Sequence, residues 1–131
     1  MAGTLYLVPT PIGNLSDISA RCRKTFEEAD FIAAEDTRVT LKLLNFLELK
    51  KPLVSYYEHN KLESGPKIVR RIQEGETCVL VSDAGSPAIS DPGEDLVRLC
   101  AEAGLTVCAI PGPCALVTAL SISGLPTGRF C

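Results

Sequence analysis

The chain has 131 residues, one domain's worth, and is long enough to bury a core without disulfide or metal staples. A hydrophobic fraction of 46% and a charged fraction of 22% are those of an ordinary soluble globular protein rather than a disordered tail. A net charge of −3 counts against this segment alone being a strong nucleic-acid binder, which needs a basic face, but leaves room for a nucleic acid gripped by other parts of a larger protein.

In chain order, "TLYLV" (4–8) predicts a strand, followed by a helix over 18–29 with Ser16 or Asp17 as its cap. "FIAA" (31–34) predicts the second strand, and 37–48 a helix whose Val39, Leu43, Leu44 and Leu47 form one apolar stripe. "LVSY" (53–56) is the third strand; the next helix, 66–74, opens at Pro66, turns Ile68, Val69 and Ile72 inward and ends before Gly75. "TCVLV" (77–81) precedes a helix over 92–103, with Leu96, Val97, Leu99, Cys100 and Ala103 inward and Gly104 as its stop. "TVCAI" (106–110) is the last strand, and 113–123, apolar nearly all round, predicts a buried helix.

None of the strands shows clean polar alternation, the pattern of strands covered on both faces. Strand–helix alternation five times over predicts an α/β fold, a mostly parallel five-stranded sheet with helices on both faces. Residues 1–125 are expected to form this domain and 126–131 to begin the connection to a further one, so the chain reads as the first domain of a longer protein. Six cysteines without a C-x-x-C pair predict buried, reduced thiols rather than zinc or disulfides. With no signal-peptide pattern and no run long enough to span a membrane, a cytoplasmic protein is expected.

The irregular segments all follow strands. "PTPIGN" (9–14), "EDTR" (35–38), "YEHN" (57–60), "SDAGSPAISDPG" (82–93) and "PGPCA" (111–115) therefore gather at the carboxyl edge of the sheet, where such folds bind ligands. The opposite edge receives plain connectors such as "QEGE" and "EAGL". The longest rim loop has no Lys or Arg, and neither G-x-G-x-x-G nor G-x-x-x-x-G-K-[ST] occurs, so a phosphate-bearing nucleotide fits poorly. S-adenosylmethionine, with an adenosine, an amino acid and a cationic sulfonium but no phosphate, fits better, because glycines admit the main chain and prolines hold the loops.

"VPTPIGNLSDIS", "AAEDTR", "YYEHN", "VSDAGSPAISDPG" and "IPGPCALVTALSISGL", in this order and spacing, resemble the tetrapyrrole methylase family over essentially the whole chain. The motifs are most similar to the branch that 2′-O-methylates a cytidine ribose of small-subunit (16S) rRNA. The resemblance implies two α/β domains, a homodimer, and S-adenosylmethionine held between the domains, with this chain as the N-terminal one. It places the cofactor on Pro11, on Ala84, Gly85, Ser86 and Ile89, and on Cys114 and Ala115, with Asp83 orienting cofactor or substrate. Relatives that methylate porphyrinoids carry "GGDP" where this chain has "AGSP", so Ser86 stands in place of an acid.

Transfer to a ribose hydroxyl requires alignment and a proton acceptor. Asp36 lies where porphyrin-methylating relatives carry an aspartate proposed for that role, and it is equally an N-cap for the helix at Thr37. Glu35, Asp83 and His59, the only histidine, are the other candidate acceptors. Arg38 is a candidate for a substrate phosphate or a solvated first-turn residue. Asp83 is alternatively an Asx-turn, Asp91 a structural cap in "DPGE", and Tyr56 and Tyr57 either stack on a base or pack in the core. Three functions remain open at this point: an RNA 2′-O-methyltransferase, a porphyrinoid or small-molecule methylase, and a cofactor-binding or dimerisation module inactive in isolation.

Overall fold

Strands that are apolar on both faces have to be covered twice. The computed structural model, which describes all 131 residues, meets that demand with a five-stranded sheet whose pairings are all parallel. The chain runs β1 (Thr4–Leu7), α1 (Ala20–Glu28), β2 (Phe31–Ala34), α2 (Thr37–Phe46), β3 (Leu53–Ser55), α3 (Lys61–Gln73), β4 (Cys78–Val81), α4 (Gly93–Glu102), β5 (Thr106–Ala109) and α5 (Ala115–Ile122). A 3₁₀ turn at Leu15–Asp17 precedes α1.

The strand order is β3-β2-β4-β1-β5. Because side chains alternate along a strand, successive residues of the central strands feed opposite layers. Ile32, Ala34, Val79 and Val81 pack with Phe26 of α1 and with Leu43 and Leu44 of α2. Phe31, Ala33, Cys78 and Leu80 pack with Ile68 and Ile72 of α3 and with Leu96 and Cys100 of α4. The chain leaves β1 and β2 toward one edge of the sheet and β3 and β4 toward the other. β4 lies between β2 and β1, so the outgoing connections diverge on both of its sides, which opens the crevice at the carboxyl ends of the strands.

Several local expectations are corrected. The cap of α1 is Ser19, whose hydroxyl accepts from the Cys22 amide at 3.0 Å, whereas Ser16 and Asp17 belong to the 3₁₀ turn, where Asn14 accepts from Ser16. α3 begins five residues before Pro66, at Lys61, and the proline lies inside it. As the sixth helical residue, Pro66 forfeits the bond to the Leu62 carbonyl and crowds it, yet the helix continues through it to Gln73. α5 is not buried: it has no buried residue, and Leu116, Val117 and Ile122 are exposed. All six cysteines are free, and Cys22, Cys78 and Cys100 are buried, but Cys108 on the edge strand is only partly so. Burial pushes the Cys100 thiol up to about 11.

Tyr56 is core, 2% exposed, with its hydroxyl donating to the Pro92 carbonyl at 3.0 Å. Asp91 caps α4 as expected, accepting from the Gly93 amide at 2.7 Å.

Phe26 is fully buried and Leu62 is 88% exposed, although both lie in amphipathic helices. Phe26→Ala should therefore cost about 3–5 kcal/mol in urea unfolding, and Leu62→Ala less than about 0.5 kcal/mol. Similar losses for the two would contradict the placement of α3.

Candidate functional site

β1 and β4 are neighbours, and their outgoing loops stay joined beyond the sheet. The Thr10 amide donates to the Gly85 carbonyl at 3.0 Å, and the Gly85 amide donates back to the Thr10 carbonyl at 2.9 Å. Gly85 makes this turn with φ +78, in the left-handed region where L side chains are strained. The β5 loop closes on the same point. The Ser86 hydroxyl donates to the Pro113 carbonyl at 3.2 Å, and Gly112 lies so near Pro9 that a Cβ there would stand 2.3 Å from the proline ring. Residues from the first, fourth and fifth rim loops thus form one welded unit, with Cys114 capping α5 and Ala115 opening it. Ile89 projects beyond this unit, 77% exposed, between Ala88 and Ser90, both of which hold positive φ.

The β2 loop supplies the charge. Asp36 caps α2, accepting from the Arg38 amide at 3.0 Å, and its two oxygens also receive Nε and Nη2 of Arg38 at 3.2 Å each. The Arg38 side chain, by these bonds first, holds the Asp36 carboxyl below the usual aspartate range. Glu35 moves the other way: partial burial raises its pKa, and the nearby charges of Asp83, Asp91 and Asp36 add to the shift. Asp83 reaches back from the β4 loop and accepts from the Asp36 amide at 3.2 Å, tying the β2 and β4 loops together.

Two clefts flank Asp83. One, of about 390 Å³, is polar and lined by Glu35, Asp36, Arg38, Tyr57 and Asp83 among others. The other, of about 320 Å³, runs between α2 and the β1 loop; Pro11, Leu15, Val39 and Leu43 make apolar walls, and Thr10, Lys42 and Asp83 contribute polar groups.

Of the residues singled out from sequence, Glu35, Asp36, Arg38 and Asp83 share the polar cleft, and Pro11, Asp83 and Ala84 line the apolar one. Gly85, Ser86, Ile89, Cys114 and Ala115 line neither; Ser86 is tied instead to Pro113, in the loop before α5. His59 is exposed and lines neither cleft; its ring meets the edge of Tyr57 with centroids 6.2 Å apart. Sequence reasoning missed Thr10, Val39 and Lys42. Val39 sits in the apolar stripe of α2 but is 37% exposed and lines a cleft instead of the core.

A doubly wound parallel sheet with two clefts at its strand ends defines an α/β domain of the kind that binds ligands at that edge. The chain belongs to the tetrapyrrole (corrin/porphyrin) methylase family, whose sequence model matches residues 4–130. It is 57% identical over 128 residues to the ribosomal RNA small subunit methyltransferase I of Halalkalibacterium halodurans, covering 98% of this chain and 44% of that protein. The protein of the same name from Escherichia coli O157:H7 is 50% identical over 129 residues, 98% of this chain and 45% of that one. The chain therefore spans about half the length of the curated relatives it matches. Among solved structures, diphthine synthase superposes with a TM-score of 0.75 at 20% identity over 98% of this chain and 52% of that one. Uroporphyrin-III-C-methyltransferase from Thermus thermophilus gives 0.71 at 21% identity over 96% and 55%. At these identities the structures establish a shared fold.

A Cβ at Gly85 would meet Ile12 at 3.4 Å and the Pro113 carbonyl at 3.6 Å, ordinary contacts, so the backbone angle rather than volume demands glycine there. Gly85→Val should destabilise the chain by about 1–3 kcal/mol in urea unfolding, and Gly85→Asn by distinctly less, because asparagine visits this region more readily. Equal losses would contradict the turn.

Proposed function

We propose that the protein carrying this chain is an S-adenosylmethionine-dependent methyltransferase that modifies the 2′-hydroxyl of a cytidine in small-subunit rRNA. The observation that carries the reading is the pairing of opposite carboxylates in one cleft, Glu35 raised and Asp36 lowered, beside a ligand turn without cations. The names of relatives about half identical to the chain support the RNA substrate.

The welded turn fits the cofactor. Gly85 turns the loop with both main-chain groups held by Thr10, Ser86 and Pro113 fix the floor, and no Lys or Arg stands among Pro11, Ala84, Gly85, Ser86, Ile89, Cys114 and Ala115 to repel a sulfonium. When bound, S-adenosylmethionine supplies an electrophilic methyl carbon. Glu35, the stronger base of the two carboxylates, accepts the ribose hydroxyl proton. Asp36 positions Arg38, whose guanidinium is exposed at the rim for a backbone phosphate. Tyr57 offers an exposed ring at the edge of the same cleft. The reading includes a cytoplasmic homodimer; the bare apolar surface of α5 supports a covering partner, and no helix is long and apolar enough to cross a membrane.

In the intact protein, assayed on small ribosomal subunits with a porphyrinoid acceptor as the competitor substrate, Glu35→Gln should lower kcat by about 10²–10⁴-fold. An acceptor works ionised, so the rate should climb as pH rises through a pKa displaced above the ordinary glutamate value of 4.5, and that limb should vanish in Glu35→Gln. A wild-type profile in the variant removes Glu35 from the reaction. Transfer to the porphyrinoid and not to the subunits overturns the substrate.

A further inference from the structure

The apolar cleft along α2 has two features that a solvent groove does not need. The Thr10 hydroxyl is the buried side-chain polar atom that lacks a hydrogen-bond partner, and Thr10, only 4% exposed, is one of the lining residues. An unmet buried hydroxyl costs about 1–3 kcal/mol, and the Thr10 main chain is held in place by both of its bonds to Gly85. Asp83, the second feature, spends one oxygen on the Asp36 amide and leaves the other unengaged, at the junction of the two clefts.

Apolar walls, a volume at the small end of ligand sites and a free carboxylate match a single nucleobase bearing an exocyclic amine. Resting on the RNA-methyltransferase reading, we infer that this cleft receives the base of the target cytidine, with Val39 and Leu15 against its faces and Asp83 accepting from its N4 amine. The Thr10 hydroxyl finds its partner on the same base. Extruding a base into such a slot is how enzymes reach atoms inside folded nucleic acid. Because Asp83 also borders the polar cleft, a base held there delivers its ribose to Glu35. The cofactor turn adjoins this cleft and shares Pro11 and Ala84 with it, so the two ligands meet there. Uracil, which presents a carbonyl where cytosine has its amine, meets a repelling carboxylate.

Two variants of the intact protein test this, each assayed on small subunits whose rRNA carries cytidine or uridine at the target position. Val39→Trp, on an exposed helical position, fills the cleft. It should lower kcat/KM on the cytidine subunits about 100-fold and leave the Kd for S-adenosylhomocysteine, measured by calorimetry, within about twofold of wild type. Asp83→Asn should reduce the cytidine-over-uridine preference by about tenfold to a hundredfold, the value of one base-reading contact, whatever its effect on the overall rate. Unchanged kcat/KM in Val39→Trp overturns the pocket, as does weakened S-adenosylhomocysteine binding, which would give the cleft to the cofactor. An unaltered base preference in Asp83→Asn removes the aspartate from recognition. Wild-type protein that methylates neither subunit overturns the functional reading itself, a result separate from active wild type with an equally active Val39→Trp.

Discussion

The rim depends on two backbone hydrogen bonds, Thr10 to Gly85 and back again. They form an isolated antiparallel bridge between the loops that leave the parallel strands β1 and β4, and the chain turns there at Gly85 with positive φ. Everything functional hangs from that point. Ser86 and Gly112 dock the β5 loop onto it, Asp83 carries it across to the β2 loop, and the clefts lie beside it. The core explains why the bridge stays in place: β4 is buried on both faces and sits between the two strands whose connections diverge from its own.

Charge is arranged to oppose what the fold would do by default. A helix N-terminus favours an anion, and Asp36 satisfies it at the start of α2, locked further by Arg38. That leaves Asp36 a weak base. Glu35, one residue earlier and outside the helix, has no such partner and faces three carboxylates, so its proton affinity rises. Adjacent residues on one loop are thereby shifted in opposite directions, Glu35 up and Asp36 down.

The strands were legible because each is a short apolar run bounded by turn residues; their ends fall within a residue of expectation. The gathering of rim loops followed from strand–helix alternation alone. Helix starts were harder to place. Ser16, Asp17 and Ser19 are all competent caps, and only the 3₁₀ turn decides among them. Pro66 resembled a helix start because proline is most at home there, yet Asn60 and Lys61 already begin the helix. The apolar composition of α5 predicts what the segment buries against, not whether that surface lies within this chain. Val39 shows the same limit at the site: an apolar stripe is equally the wall of a core or of a cleft, and periodicity does not distinguish them. Thr10 gave no signal at all, since an unmet hydroxyl exists only once the fold surrounds it.

The most direct measurement is a crystal structure of the intact protein with S-adenosylhomocysteine bound. The ligand's thioether is expected beside Ser86, Pro113 and Cys114, with the space between Val39 and Leu15 left clear. Density for the adenosyl group in that cleft, or a bound state in which Thr10 and Gly85 have separated, would contradict it.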